Sequence, residues 1–245
     1  MLEAKKVQVA ILAGGLGERL RPYTETVPKP MIDINGKPFL EIQLNQLKSQ
    51  GFKDILLCTG YLGNVIEDYF GSGKELGLNI SYSREQIRLG TAGAIKNAES
   101  LVRTNPFILM NGDSYSEIDF AELLKKHREY NFPLTIAVSK ATNSLEQELV
   151  EVADSVISAF YQRGTPEHDL YLKGNKTPLI NSGIYVLSKD ILGLIPQGRF
   201  CSLEKEIFPY FKNSATGFVW EGYMKDLATK QFCNELEEYL SGVKK

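Results

Sequence analysis

The sequence predicts an α/β fold, a mixed, mainly parallel sheet with helices on both faces, and three observations carry that expectation. Short β-branched apolar runs alternate along the chain with stretches of helical spacing, the pattern that builds parallel strands joined by crossover helices. The first run, Val7, Val9, Ile11 and Leu12, stops abruptly at Gly14 and Gly15, as a buried strand does when it delivers a loop to the sheet's carboxyl edge. The 245 residues are 43% hydrophobic and contain no Pro/Ser/Gly-rich linker, low-complexity tract or internal repeat, so one domain over 1–245 is expected.

Taken in order, strand-like runs fall near 7–13, 54–59, 78–83, 105–111, 133–139, 156–161, 182–187 and 216–220. Between them, Phe39-Leu40-x-x-Gln43-Leu44-x-x-Leu47 repeats at helical spacing, and Val65-Ile66-x-x-Tyr69-Phe70 does so over a shorter span. Both faces read as core. Gly51, after Leu47 and before the next strand, fits a helix C-cap. Phe120-x-x-Leu123-Leu124-x-x-His127 reads as an amphipathic helix that makes His127 structural, and a last helix from about Ala228 to Leu240 closes the fold. His168 is expected to be solvated within a polar loop, Gly164 to Pro178, that could act as a lid.

Composition removes several function classes. A net charge of −2 argues against a nucleic-acid surface. Only two histidines, His127 and His168, are present for zinc ligation, imidazole bases or nucleophilic triads. No apolar run approaches the roughly 20 residues of a membrane span, and residues 1 to 6 are short and charged, so a cytoplasmic protein is expected. Cys58, Cys201 and Cys233 are widely spaced without C-x-x-C and read as buried free thiols.

The chemistry concentrates in Leu12 to Pro30, LAGGLGERLRPYTETVPKP. Gly14, Gly15 and Gly17 let the backbone approach an anion and turn N–H groups toward it, while Arg19, Arg21 and Lys29 add positive charge. The segment therefore reads as a polyphosphate clamp. A dinucleotide fingerprint fails because Leu20 stands where the third glycine belongs, and no Gly-Lys-Ser/Thr triplet completes a Walker loop. Prolines on both sides of Lys29 are expected to present it from a stiff extended segment. A second feature is Phe107-Ile108-Leu109-Met110-Asn111-Gly112-Asp113, an apolar strand ending in a carboxylate at the same edge. On spacing alone Asp113 is either an ordinary turn residue or a metal ligand.

These residues resemble the sugar-1-phosphate nucleotidyltransferases, whose signature is a G-G-x-G-x-R-L loop followed by P-K-P. Further blocks stand in family order: Gly36-Lys37-Pro38, Leu89-Gly90-Thr91-Ala92-Gly93-Ala94, Asn111-Gly112-Asp113 and Asn181-Ser182-Gly183-Ile184-Tyr185. The similarity covers nearly the whole chain and looks closest to the short guanylyltransferases acting on heptose or mannose 1-phosphates, the D-glycero-D-manno-heptose 1-phosphate enzymes above all. It implies a Rossmann-like, GT-A-like nucleotidyltransferase fold, with residues 1–113 as a nucleotide-binding half and 114–245 as a sugar-phosphate-binding half. It also implies transfer of a nucleotidyl group from a nucleoside triphosphate to a sugar 1-phosphate, with Mg²⁺ as cofactor.

The resemblance distributes roles by position. Arg19, Lys29, Asp113 and Asp226 would be catalytic, with Asp113 and Asp226 as the metal ligands. Leu12, Ala13, Gly14, Gly15, Gly17, Glu85, Gly90, Thr91 and Asn111 would bind the nucleotide; Gly112, Glu151, Arg163, Asn181 and Gly183 would bind the sugar phosphate. Two aspartates suit Mg²⁺, which prefers a few carboxylates with phosphate oxygens and water. Glu85 would accept from the adjacent N–H groups of a guanine edge if it faces inward, which favours GTP, although Gln86 could serve either a guanine or a uracil edge.

The chain departs from the family pattern in three places. Gln162-Arg163 stands where many relatives carry a Glu-Lys pair, so Arg163, Lys173 or Lys176 could hold the sugar phosphate. Glu18 replaces a small polar residue and either faces outward or pairs with Arg21 or Lys29. Asp226-Leu227-Ala228-Thr229-Lys230-Gln231 lacks the usual Gly and Pro after the aspartate. Alternatives left open are a mannose 1-phosphate guanylyltransferase, a uridylyltransferase acting for example on MurNAc 1-phosphate, and a non-catalytic sugar-nucleotide-binding subunit. A choline-phosphate type cytidylyltransferase would need an aromatic cage, for which Tyr161, Tyr171, Tyr185 and Trp220 are available. A homodimer through an apolar surface near Phe200 to Phe211 is a further expectation.

Overall fold

Alternation along β1 (Val9–Ala13) sets the architecture, because successive side chains of a strand point to opposite faces and here both faces are apolar. In the computed structural model, which describes residues 6–141, 148–174 and 177–242, both faces are covered. Val9 and Ile11 lie on one side with Ile55, Leu57, Ile108 and Met110; Ala10 lies on the other with Leu56, Phe107 and Leu109. The strands that supply these residues are β4 (Asp54–Thr59) and β6 (Phe107–Asn111), which flank β1 in parallel.

Six further strands join these three: β5 (Asn79–Arg84), β8 (Leu134–Lys140), β9 (Leu149–Ala153), β10 (Val156–Tyr161), β11 (Leu179–Leu187) and β12 (Ala215–Val219). The resulting nine-stranded sheet has the order β5-β4-β1-β6-β11-β8-β12-β10-β9. Parallel ladders run through β5, β4, β1 and β6 and join β12 to β8. The pairings of β9, β10 and β11 are antiparallel, which makes the sheet mixed. Every expected strand is present.

Helices cover the two faces unequally. On one side α1 (Phe39–Ser49) buries Leu40, Leu44 and Leu47, α2 (Gly63–Phe70) buries Ile66 and Phe70, and α4 (Phe120–Tyr130) buries Phe120, Leu123 and Leu124. Each such leucine contributes roughly 1.5–3 kcal/mol when fully buried. Gly51, at φ +93°, ends α1: the Phe52 N–H reaches Leu47 O at 3.0 Å and the Gly51 N–H reaches Lys48 O at 2.9 Å, a Schellman closure. The other face is covered by α3 (Gly90–Asn97), a π-helical turn at Leu203–Ile207 and the following Phe208. A third cluster of Leu20, Ile34, Phe39, Tyr115, Leu227, Cys233 and Leu236 fastens α6 (Lys230–Leu240) to the signature segment.

Several elements differ from expectation. The stretch 90–97 is a helix although its Gly-Thr-Ala-Gly-Ala start has little apolar periodicity; its small residues let it press against segment 199–201, where Cys201 O accepts from the Ala92 and Gly93 N–H groups at 3.0 and 3.2 Å. Within the expected polar loop lies α5 (Pro166–Leu172), and His168 on it is 1% exposed rather than solvated. Lys29 sits in a 3-10 turn, Lys29–Met31, entered from an extended Pro28, instead of in an extended segment. Two short ribbons, β2 (Asp33–Ile34) with β3 (Lys37–Pro38) and β7 (Ser114–Ser116) with β13 (Met224–Asp226), carry no readable alternation. The three cysteines are buried free thiols, as expected. Phe208 and Phe211 belong to the core, so the apolar surface expected around them reduces to Phe200 and Tyr210. Among the described residues no helix is long and apolar enough to cross a membrane.

Candidate active site

The carboxyl ends of β1 and β6 and the start of α3 enclose a cleft of about 220 Å³. Leu12, Ala13, Gly14 and Gly15 form one wall, Asn111, Gly112 and Asp113 a second, and Gly90 and Thr91 a third, with Lys29 and Glu85 closing the ends. The first two walls meet at Gly112, whose N–H donates to Leu12 O at 2.9 Å. A Cβ there would lie 2.7 Å from the same oxygen, so only glycine lets Asp113 come this close to the glycine loop. Gly17 and Arg19 lie just outside the cleft: Gly17 O accepts from the Thr24 hydroxyl at 2.8 Å, and Arg19 is exposed on the 3-10 turn Glu18–Leu20. Glu18 is exposed too, and Lys29 is taken by another partner.

That partner is Asp113, whose Oδ2 accepts from Lys29 Nζ at 2.5 Å, with the lysine side chain 10% exposed. The small β7–β13 ladder brings the second carboxylate alongside. Asp226 pairs with Ser114 across it, and the Leu227 N–H donates to the Asp113 main-chain oxygen at 2.8 Å. The Asp226 carboxyl is held above the ordinary aspartate range, first by burial and next by the charge of Asp113; Ser114, Lys29 and Arg19 oppose the rise. Its Oδ1 is buried with no hydrogen-bond partner among the described residues. An orphaned carboxylate oxygen beside a second carboxylate fits a divalent cation. Among the described residues no cluster of three or more His, Cys, Asp or Glu could hold such an ion alone, so substrate oxygens and water would complete the shell, as a hard cation such as Mg²⁺ tolerates. The helix entry after Asp226 forms without the usual Gly and Pro: Thr229 caps α6, its hydroxyl accepting from the Phe232 N–H at 3.4 Å.

Glu85 faces inward. It lines the cleft, and a Cβ added at Gly14 or Gly60 would lie 3.2 or 2.9 Å from its Oε1. Its Oε2 accepts from the Leu89 N–H at 3.2 Å. Burial pushes its pKa up, while the Leu89 N–H and the Arg88 guanidinium pull it down. Cys58 also lines the cleft as an unreactive thiol, pushed up to about 12 by burial and by Glu85. Pro30, Ala94 and Arg88 also line the cleft without having been assigned a site role, and Arg88 stands 5.7 Å above the Phe200 ring. Its place one residue before Leu89-Gly90-Thr91 was the available signal.

The expected sugar-side residues separate into two groups. Asn181 and Gly183 sit where β11 bulges against β8, the register slipping between Asn181 and Tyr185. The bulge packs Gly183, at φ +69°, against Asn111: a Cβ there would lie 2.5 Å from Asn111 Nδ2, so the space belongs to that side chain. Asn181 Nδ2 donates to the Tyr185 hydroxyl at 2.9 Å and its Oδ1 accepts from the Gly183 N–H at 2.8 Å. Glu151 and Arg163 are instead on the β9–β10 side, where Glu151 accepts from the Tyr161 hydroxyl at 2.6 Å. None of these four residues lines the cleft, which Gly112 alone of the expected sugar-side set does. Lys173 is exposed after α5, and Lys176 lies outside the described residues. The four aromatics named for a cage do not share a cavity: Tyr161 and Tyr171 stack on each other at 4.5 Å, Tyr185 is fully buried, and Trp220 Nε1 donates to Ser182 at 3.1 Å.

A glycine loop at the carboxyl edge of parallel strands, opposed by two aspartates, places this cleft where open α/β proteins bind their ligands. Comparison with known proteins narrows this class. The family described as Nucleotidyl transferase matches residues 8–210, and the chain belongs to it. It is 31% identical over 240 residues to the D-glycero-alpha-D-manno-heptose 1-phosphate guanylyltransferase of Aneurinibacillus thermoaerophilus, covering 96% of this chain and 100% of that protein. It is 35% identical over 236 residues, 92% of this chain, to the mannose-1-phosphate guanylyltransferase of Mycobacterium tuberculosis, of whose length it spans 62%. The crystal structure of HddC from Yersinia pseudotuberculosis complexed with GMP-PN superposes with a TM-score of 0.80 at 30% identity, over 96% of this chain and 99% of that one.

Proposed function

We propose that this protein transfers a nucleotidyl group from a nucleoside triphosphate, GTP by preference, to a sugar 1-phosphate, giving a nucleoside diphosphate sugar and pyrophosphate. The observation that carries the reading is the Lys29–Asp113 ion pair lining the glycine-walled cleft, with the buried Asp226 carboxyl close enough to feel both charges. A sugar 1-phosphate is already largely dianionic near neutral pH because the second phosphate pKa is about 6, so no enzyme base is required. Its oxygen attacks the α-phosphorus in line, the bond from that phosphorus to the bridging oxygen breaks, and pyrophosphate leaves with the electron pair. Backbone N–H groups of the glycine loop and the Arg19 guanidinium hold the departing phosphates, and Lys29 moves from Asp113 to the α-phosphate and the incoming oxygen. Mg²⁺ held by Asp113 and Asp226 supplies charge neutralisation when bound. Residues up to 113 act as the nucleotide half and those beyond as the sugar-phosphate half, in the cytoplasm where nucleoside triphosphates are available.

The inward Glu85 supports guanine, since a carboxylate matches the paired N–H groups of that base. The heptose relative, matched along its full length, supports D-glycero-D-manno-heptose 1-phosphate as acceptor. The mannose relative supports mannose 1-phosphate as the second reading. Pyrophosphate release from a matrix of GTP, UTP, dTTP and CTP against these two acceptors, glucose 1-phosphate and MurNAc 1-phosphate tests the assignment. GTP with the heptose phosphate is expected to react fastest. Faster turnover with UTP or dTTP overturns the base, and nucleotide binding with no release anywhere in the matrix overturns catalysis in favour of a regulatory subunit.

A further inference from the structure

The apolar stripe of α1 contains a residue that reads as core filler and is not one. Gln43 is fully buried, yet its Nε2 donates to two main-chain carbonyls, Asn111 O at 3.0 Å and Ser114 O at 2.8 Å. These two carbonyls bracket Gly112-Asp113. Two further glutamines continue the row one turn apart: Gln46 Nε2 donates to Ser116 O at 2.5 Å, and Gln50 Nε2 to Ile118 O at 3.0 Å. Both Nε2 donations are made while Oε1 is buried with no partner among the described residues, so the amide is kept at a desolvation cost for two contacts that fix how the chain turns out of β6.

We propose that Gln43 is a positioning residue for the two-carboxylate centre, setting the separation of Asp113 and Asp226 by clamping the turn that carries the first and the ladder that carries the second. Ser114, held by Gln43 through its carbonyl, is the residue opposite Asp226 across the β7–β13 ladder. Asp113 is thus gripped through Asn111 and Ser114 from α1 and through its own main-chain oxygen by Leu227. Gln46 holds the far end of the same ladder at Ser116, opposite Met224, and Gln50 the chain beyond it at Ile118, and neither touches the two carbonyls that bracket Asp113. Outer groups that orient metal ligands change metal affinity or activity by about 10–100-fold when removed. The proposal rests on the nucleotidyl-transfer reading.

The test compares Gln43→Met, which keeps shape and removes both donors, with Gln46→Met as a control from the same row. For Gln43→Met we expect kcat to fall about 10–100-fold, the Mg²⁺ concentration for half-maximal rate to rise by about the same factor, and the KM for GTP to stay within about threefold. A calorimetric readout independent of turnover is the gain in affinity for an α,β-methylene GTP analogue on adding Mg²⁺, which Gln43→Met should largely lose and Gln46→Met should keep. Should Gln43→Met fail to fold, Gln43→Asn, whose shorter amide cannot span both carbonyls, carries the same criteria. A folded variant with wild-type Mg²⁺ dependence, or an equal loss in Gln46→Met, overturns the proposal. Absence of both pyrophosphate release and Mg²⁺-dependent analogue binding in the wild type overturns the underlying reading instead.

Discussion

Asp226 and His127 are both buried ionisable groups, and they push stability in opposite directions with pH. The Asp226 carboxyl is raised, so the native state holds its proton to higher pH than the unfolded chain does. Stability therefore falls as pH climbs from about 3.9 through the folded value, and the cost persists at neutral pH. Asp226→Asn removes that cost. It is expected to melt higher than wild type while kcat drops about 10²–10³-fold or more, checked by calorimetry and pyrophosphate release at pH 7.5. His127 runs the other way: burial first and Arg128 second push it from 6.5 down to about 4, and it is held neutral against the Thr135 hydroxyl at 2.8 Å. Its contribution is complete above pH 6.5 and is lost between 6.5 and 4, on the order of 3 kcal/mol at about 1.36 kcal/mol per unit. Urea denaturation at pH 7.5, 5.5 and 4.5 should show this slope in wild type and a flatter one in His127→Gln.

At the scale of elements, the site is assembled by the least regular pieces of the fold. The β7–β13 ribbon and the bulge in β11 are short and unpatterned, yet one carries Asp226 to Asp113 and the other seats Asn111 against Gly183. Gly183→Ala tests the bulge. An L-residue at φ +69° costs about 1–2 kcal/mol, and its Cβ would displace the Asn111 amide. We expect a stability loss of at least about 1 kcal/mol in guanidinium melts together with a roughly tenfold loss of kcat/KM, whereas a stability loss with unchanged kinetics would limit the bulge to folding.

For the whole molecule, the two faces of one sheet are buried in separate cores, and the cleft lies where the parallel strands end between them. Ligand in that cleft touches β1, β6, α3 and the Lys29 turn at once, so binding should stabilise the fold as a unit. GTP analogue with Mg²⁺ at about 100 times Kd should add about 2.7 kcal/mol, or roughly 5–10 °C in Tm for a chain of this size. Differential scanning fluorimetry checks this, and an unmoved Tm at saturating analogue would contradict a preformed cleft.

The strands and amphipathic helices were legible because period-2 and period-3.6 apolar patterns record which face meets a core. The glycine loop and Lys29 were legible because their residue types at that spacing leave little else for them to do, whereas Asp113 on spacing alone reads as a turn residue or a ligand, and only the family resemblance gave it a metal role. Glu85 could be named, but its inward direction depends on the path of the chain after β5. Gln43 read as core because periodicity records burial and not what a buried amide bonds to. His168 was misread because α5 buries it through packing that its polar neighbours conceal. The amino-acid order by itself determined the sheet, its two apolar faces and the cationic glycine loop, since these follow from local spacing and side-chain chemistry. Only the tertiary structure decided that Asp226 stands beside Asp113, because that encounter depends on three residue pairs between segments more than a hundred positions apart, and pairing so short leaves no periodic trace.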